Sequence, residues 1–349
     1  MQAASEQLTV LSQKVKSSPL PEGLTERIII RLDQLALLTE SQTFLPEFDR
    51  ITRYIDWALS IPWGKRTQDV LDLEHAKKIL DKNHFGLTEV KDRILEYLST
   101  MRLKQEQKST DYMRAPILSF VGLVGTGKTT ISASIAEALG RKFDRIPFGG
   151  MGDPLDLRGQ SRMHPEAEPG KVVKALRMTQ SMNPVILLDE IDRVTDEGRS
   201  SIMGVLVELL DPEQNNSFVD HYIDYPIDLS QALFITTANT TRRIPIAVLD
   251  RLEPLDMPSY TDIEKITIGR DYMLPKVIKA AGIPEGGVVI DEHLWPVIVR
   301  PLGYDAGIRT LERTIQEMVR KVARMIVEGK GKSFKITTEN VKEFISQRF

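Results

Sequence analysis

The chain contains no cysteine, which excludes disulfides, thiolate metal sites and cysteine nucleophiles together. It also lacks a basic excess: 46 lysines and arginines stand against 49 aspartates and glutamates, a formal net charge of -3. A dedicated nucleic-acid binder needs a cationic footprint, and a pair such as Arg242 and Arg243 is more often a solvated face, so nucleic acid is disfavoured. No apolar run approaches the roughly 20 residues of a membrane helix. Met1 to Lys16 is polar and has no apolar stretch of signal-peptide kind. A soluble, cytoplasmic protein without a membrane partner is the expectation. The 5 histidines (His75, His84, His164, His221 and His293) show no metal-ligand spacing, so zinc has no support. Aromatic residues make up only 6%, and Trp63 and Trp295 read as core or edge residues, not as a stacking platform.

What is present is ordinary for a globular protein: 41% hydrophobic and 27% charged residues over 349 positions, enough for two domains and a sizeable core. Leu24 to Leu38 and Phe44 to Leu59 repeat apolar residues at three- and four-residue steps, the spacing of a helix with one buried face. Ile61-Pro62-Trp63-Gly64 stops the second. Leu71 to Leu80 and Leu87 to Leu103 are two more helix candidates, split by Asn83 to Gly86. From Ala115 the texture changes to short apolar runs, Ile117 to Val121, Val185 to Leu188 and Leu233 to Thr237, with helical segments between them. Strands alternating with helices imply a parallel sheet flanked by helices, an α/β fold. Beyond Pro258 the pattern is helical again: Thr261 to Leu274, Asp291 to Val299 and Gly307 to Val327, with a connection around Gly282 to Gly287. The expected organisation is a helical N-terminal segment (1–66), an α/β nucleotide-binding unit (67–257) and an all-α lid (258–349), without internal repeats.

The phosphate-binding pattern G-x-x-x-x-G-K-[ST] is met by Gly122-Leu123-Val124-Gly125-Thr126-Gly127-Lys128-Thr129, followed by Thr130. A strand precedes it and a helix follows, which is the context the pattern requires. Its glycines let backbone N–H groups curl around phosphate oxygens at a positive helix N-terminus. Lys128 can reach the β- and γ-phosphates, and the Thr129 hydroxyl can join a Mg²⁺ shell. The bland alternative, a glycine-rich turn with a surface lysine, does not account for the flanking strand and helix. Val185 to Leu188 then runs into Asp189 and Glu190, placing one carboxylate beside Mg²⁺ and the other where it could polarise a water attacking ATP. That pattern is weak alone and strong beside the phosphate loop. Asn239, ending a third run, either orients the water or is a turn residue. Arg251 is either an arginine finger for a neighbouring subunit or half of a surface ion pair, and sequence alone favours the pair.

Several stretches resemble the AAA+ ATPase module of the Lon protease family: Tyr54 to Gly64, His84 to Leu87, the phosphate loop, Asn183 to Asp192, Leu210 to Asn216 and Asp305 to Arg313. The likeness runs from about Pro46 to the C-terminus. It implies a P-loop AAA+ fold with ATP and Mg²⁺ as cofactors. It puts Asn239 at the sensor-1 position, Arg251 at the trans-acting finger and Arg309 at the sensor-2 position of the lid. His84, Phe85 and Gly86 fall on the segment bordering the adenine. A finger from a neighbour implies a ring, in this family a homohexamer, acting on unfolded or damaged protein, with a peptidase completing the system. Two departures matter. The family's peptidase domain with its Ser–Lys dyad would begin where this chain reaches Ser346 to Phe349, so a separate peptidase is an expected partner, and most of the family's N-terminal substrate-recognition domain is expected to be missing. The family's aromatic–aliphatic pore-loop pair corresponds to His164 and Pro165 here, with Met163 and His164 the pore-loop candidates and Glu166 and Glu168 after them.

Three activities compete at this point: a Lon-type unfolding motor, a nucleotide-switched clamp that holds a partner without threading it, and a DNA-remodelling ATPase. The acidic, proline-bearing pore segment favours the second and the charge balance disfavours the third. For the 349 residues as given, no serine lies in a nucleophile-elbow context. Pure chain is therefore expected to leave casein intact, and cleavage blocked by a serine-directed inhibitor is the contrary result.

Overall fold

The computed structural model describes residues 2–39, 41–107, 116–300 and 307–345. Met1, Ala115, Asp305, Ala306 and Ser346 to Phe349, all used in the sequence reading, lie outside those residues.

Three helices open the chain: α1 (Gln2–Lys16), α2 (Glu22–Ala36) and α3 (Phe44–Ser60). Then come α4 (Leu73–Asn83), whose N-cap Asp72 accepts the backbone N–H groups of Glu74 and His75, and α5 (Thr88–Glu106). The α/β unit follows with β1 (Ile117–Val121), α6 (Lys128–Leu139), β2 (Phe143–Pro147), α7 (Leu155–Arg158), α8 (Lys171–Thr179), β3 (Val185–Asp189) and α9 (Arg199–Leu210). A two-residue ribbon, β4 (Phe218–Val219) with β5 (Pro226–Ile227), precedes β6 (Leu233–Ala238), α10 (Ile246–Leu249) and β7 (Leu252–Asp256). The five-stranded sheet is parallel, in the order β2-β3-β6-β1-β7.

Side-chain alternation sorts the sheet residues into two cores. Leu118, Phe120, Val185, Leu187, Leu233 and Ile235 pack with α4, α5 and α6. Ile117, Ile186, Leu188 and Phe234 face the other way, onto α8, α9 and the N-terminal helices through residues such as Leu24, Ile28 and Ile55. The first three helices thus share a core with one face of the sheet. Central strands buried on both sides need unbroken apolar runs, and β1, β3 and β6 have them. The expected strands missed β2 and β7. Both lie at sheet edges, where Phe143-Asp-Arg-Ile-Pro147 and Leu252-Glu-Pro-Leu-Asp256 carry the charges and prolines that edges tolerate.

The lid holds α11 (Asp262–Thr267), started by a Thr261/Glu264 capping box, a π-helical turn over Ile268–Met273, then α12 (Leu274–Ala280), α13 (Trp295–Val299), α14 (Arg309–Val327) and α15 (Val341–Phe344). To the helices expected there it adds a short parallel ribbon, β8 (Val288–Ile290) with β9 (Phe334–Ile336). Its own core gathers Trp295, Leu311, Ile315, Met318 and Val322. Gly269 is needed in the π turn, because a Cβ there would lie 2.8 Å from the Trp295 ring.

At the N-terminal ends of the strands, the segment leading from the helices is pinned by a bidentate pair. Arg141 donates from Nε to Asp69 Oδ1 at 2.8 Å and from its terminal nitrogen to Asp69 Oδ2 at 2.5 Å, with both side chains buried. Asn183 adds donors to Asp69 and to the Thr67 carbonyl. Removing one partner strands a buried charge, so Asp69→Ala should lower unfolding free energy by about 3 kcal/mol or more. Urea unfolding measures it, and an unchanged midpoint would contradict the pair's weight.

Candidate functional site

The central strands release their C-terminal ends into one cleft, as open parallel sheets do at the point where strand order reverses. The loop after β1 turns back through Gly125 and Gly127, both with positive φ (86° and 94°), and enters α6. Thr126 is fully buried and its hydroxyl donates to the Leu123 carbonyl at 2.9 Å, while Thr130 donates to Gly127 at 2.8 Å. The Tyr260 hydroxyl, from the junction with the lid, donates to the Thr126 carbonyl at 3.0 Å. Gly122 acts as a spacer: a Cβ there would lie 2.6 Å from the Met257 carbonyl.

Lys128 sits at the floor of the cleft and is buried. Its Nζ donates to the carbonyls of Gly122 (2.6 Å) and Leu123 (2.9 Å) and to Asn239 Oδ1 (3.2 Å). Burial pushes its pKa down, against the raising influence of Asp189, Glu190 and Asp192. Asn239 therefore meets the phosphate-loop lysine directly, as β6 neighbours β1 in the sheet. Its Nδ2 is buried and has no hydrogen-bond partner among the described residues. Such a donor suits a phosphate oxygen or a water.

The end of β3 is organised by a residue that the sequence reading did not select. The Thr237 hydroxyl donates to Asp189 Oδ1 and accepts the Glu190 backbone N–H at 2.8 Å. Glu190 adopts a left-handed backbone (φ 59°), which turns it out of the strand toward the cleft. Arg145, on β2, donates from Nε to Asp189 Oδ2 at 2.6 Å. Neither Thr237 nor Arg145 belongs to a local motif; only strand order places them here.

At the opposite end lies an apolar slot. Phe85 packs edge-on to Tyr272, with ring centroids 6.2 Å apart. Ile268, Met273 and Val277 line the same wall, so the π turn faces the cleft. The His84 ring nitrogen Nε2 lies 2.9 Å from Ser134 Oγ, and its carbonyl accepts Lys91 Nζ at 2.6 Å. Gly86 has positive φ and lies beside Glu264, and is not part of the lining. The lid closes the cleft through the start of α14. The Ile308 N–H donates to the Gly125 carbonyl at 3.1 Å, and a Cβ on Gly307 would lie 2.4 Å from the Val124 carbonyl. Arg309 lies against Gly125 and lines the cleft. Gly307 was readable as part of the Ala-Gly-Ile-Arg stretch, but its contact with the loop was not.

The resulting cavity is about 600 Å³ and gathers Val124, Gly125, Gly127, Lys128, Thr129, Thr130, Asp189, Glu190, His84, Phe85 and Arg309 from the expected set. The cavity runs from the apolar slot past the phosphate-binding loop to Lys128 at its floor. Thr129 and Asp189 bring a hydroxyl and a carboxylate to the lining, both Asp189 oxygens being hydrogen-bonded within the protein. Among the described residues no group of three or more His, Cys, Asp or Glu could hold a metal alone. Such a cation therefore needs the phosphates as ligands.

Two expected elements lie elsewhere. Arg251 donates to the Ala247 carbonyl (2.7 Å) and to Asp211 Oδ2 (2.8 Å), outside the cleft. That bond holds the Asp211 carboxyl below its ordinary pKa. Met163, 85% exposed, and His164 sit at the tip of a turn on the surface. Among the described residues no helix is long and apolar enough to cross a membrane.

Residues 118–256 match the AAA family model, described as ATPase family associated with various cellular activities. Residues 279–336 match the Lon protease AAA+ ATPase lid domain. Nucleotide binding follows from the first match. Curated relatives include the Lon protease of Lawsonia intracellularis, 41% identical over 342 residues, covering 98% of this chain and 40% of the relative. The Lon protease of Halothermothrix orenii is 39% identical over 95% of this chain and 41% of its own length. That of Bacillus thuringiensis is 39% identical over 97% and 41%. The chain thus spans about two fifths of the length of these relatives.

Burial, with Lys91 beside it, pushes the His84 pKa down from 6.5 to about 4. The folded protein holds the ring neutral, so the unfolded chain takes up the proton first as pH falls below 6.5. The contribution is complete above that value and is lost toward pH 4. Between pH 7 and 4.5, wild type should lose roughly 2–3 kcal/mol more than His84→Gln. Urea unfolding at both pH values tests this, and equal losses would contradict it.

Proposed function

We propose that this chain, which carries an AAA ATPase domain joined to a lid of the Lon protease type, hydrolyses ATP and couples turnover in a ring to the unfolding or remodelling of protein. The observation that carries the ATPase reading is the meeting of Lys128, Asp189 and Glu190 in one cleft, with Asn239 bonded to Lys128 just behind its lining. Lys128 moves from the loop carbonyls to the terminal phosphates. Glu190, turned toward the cleft, orients and deprotonates the attacking water, and Asn239 Nδ2 holds that water or the γ-phosphate. Arg309 brings the lid's charge to the same phosphates. A magnesium ion, held by Thr129 and Asp189 together with the phosphates, would supply neutralisation of the charge developing on them.

The ring is supported by Arg251, which lies outside the cleft of its own chain. Released from Asp211, it is available to the cleft of an adjacent copy, in a homohexamer on the Lon pattern. In this reading an unfolded or damaged protein is the substrate and a peptidase, in the same or a separate chain, acts downstream, which the protease names of the relatives support. Met163 and His164 are the residues offered to that substrate. The working units are then 1–66, 67–257 and 258–349, in a cytoplasmic protein. The clamp reading draws on the same exposed turn, because a His-Pro-Glu tip offers less grip than an aromatic one. The Glu168 charge is matched by Lys174 Nζ at 2.5 Å. The acidic character of the tip therefore rests chiefly on Glu166.

Lys128→Ala should abolish ATP binding. Glu190→Gln should keep ATP affinity and lose ~10²–10⁴-fold in turnover. Wild-type turnover by Glu190→Gln in a steady-state assay would refute the assignment.

Turnover per chain should rise with chain concentration in wild type, and Arg251→Ala should bind nucleotide normally without that rise. His164→Tyr should increase stimulation by an unfolded polypeptide. A concentration-independent wild-type rate counts against the trans finger. An unchanged His164→Tyr response counts against threading and for the clamp.

A further inference from the structure

Asp189, the carboxylate proposed for the cation shell, has both oxygens engaged. Oδ1 accepts the Thr237 hydroxyl, a neutral donor that fixes its orientation, and Oδ2 accepts the Arg145 guanidinium at 2.6 Å. The register explains the second contact. Pro147 on β2 is level with Asp189 on β3 and Arg145 with Leu187, so Arg145 lies two residues back on the same face and reaches along the strand. Asp189 is buried, whereas the Arg145 side chain is 49% exposed. Among the described residues Arg145 makes no other ion pair. It is a long cation with solvent on one side and a single anionic partner on the other.

We infer that Arg145 gates divalent-cation loading, its guanidinium competing with the cation for the Asp189 carboxylate. The inference rests on the ATPase reading, in that Asp189 is taken to face the cation. A half-exposed ion pair is weak, so a divalent ion supported by phosphates and Thr129 can displace it. Displacement is cheap also because the freed guanidinium swings into water. While Arg145 stays, it lowers cation affinity twice over, by occupying Oδ2 and by placing a positive charge beside a doubly charged ion. Nucleotide can enter without that exchange, since Arg145 is not part of the cavity lining. Loading thus becomes a separate step after nucleotide binding, and a cation leaving with product is replaced at once by the arginine. Thr237 keeps the carboxylate aimed in both states.

The test is the affinity of Mn²⁺ for the full chain saturated with a non-hydrolysable ATP analogue, read by electron paramagnetic resonance of the free ion. Arg145→Gln should bind Mn²⁺ about three- to tenfold more tightly, while Arg145→Lys stays within about twofold of wild type by keeping the charge. Metal-free nucleotide affinity should be the same in all three, which also reports correct folding of an exposed-site variant. Asp189→Ala serves as the reference and should lose Mn²⁺ affinity. If Asp189→Ala weakens the ion and Arg145→Gln leaves it unchanged, the gate is overturned and the ATPase reading stands. Weaker binding by Arg145→Gln would likewise overturn it, since Arg145 would then be positioning the carboxylate. If Asp189→Ala binds Mn²⁺ as wild type does, the assignment of Asp189 falls and the gate with it.

Discussion

Everything at the cleft turns on one buried ammonium group. Lys128 is taken out of water at the first turn of α6, and its charge is tolerated because carbonyls of Gly122 and Leu123, the Asn239 amide oxygen and nearby carboxylates surround it. Those partners come from three strands, β1, β3 and β6, which are adjacent only in the observed sheet order. A buried charge with partners from three strands penalises other registers. The same set of groups is what a triphosphate needs, so the constraint on folding and the one on ligand binding coincide. Asn239 Nδ2 is buried without a hydrogen-bond partner among the described residues, whereas its Oδ1 is taken up by Lys128.

Legibility in the sequence followed burial and locality. β1, β3 and β6 stand out as apolar runs because both faces are covered, and the phosphate loop stands out because its residues are consecutive. β2 and β7 were hidden, since a strand at an edge needs no apolar run and can carry Pro147 or Pro254. Thr237 and Arg145 act on Asp189 from separate strands, so their contacts exist only once strand order is known. Thr237 could have been suspected from its place two residues before Asn239, on a strand ending at the cleft. For Arg145 no local signal existed. In the lid, the helices were periodic enough to find, but a π turn has no periodic signature, and the close passage of Gly269 over Trp295 within it is a tertiary contact.

The lid is joined to the phosphate loop by backbone more than by side chains. Ile308 N–H bonds the Gly125 carbonyl, and Gly307 sits where no Cβ fits against Val124. Tyr260 makes the second tie, to the Thr126 carbonyl, from the junction between the two units. Both ties end on the loop that would wrap the phosphates. The start of α14 and the junction are thus both anchored on one loop, and Tyr272 and Met273 bring the same lid to the wall of the apolar slot.

The exposed turn at Met163 and His164 is held at its base and free at its tip. Asp220 is fully buried, and its carboxylate accepts N–H groups from Gly170, Tyr222 and Ile223 at 2.7 to 3.1 Å, closing the C-terminal end of the segment onto the loop before β5. Gly159, at the other end, could not carry a Cβ, which would lie 2.8 Å from the same carboxylate. Arg162 lies 4.1 Å over the Tyr54 ring on α3 and donates to Asp224, whose carbonyl also accepts Arg27 from α2. A force on the tip therefore reaches the N-terminal helices through an arginine–aromatic contact, and reaches the sheet through their shared core. That arrangement explains why the first helices cannot be a detachable appendage. They form the surface against which the segment proposed to grip a polypeptide is braced, in one core with the face of the sheet that packs on α8 and α9.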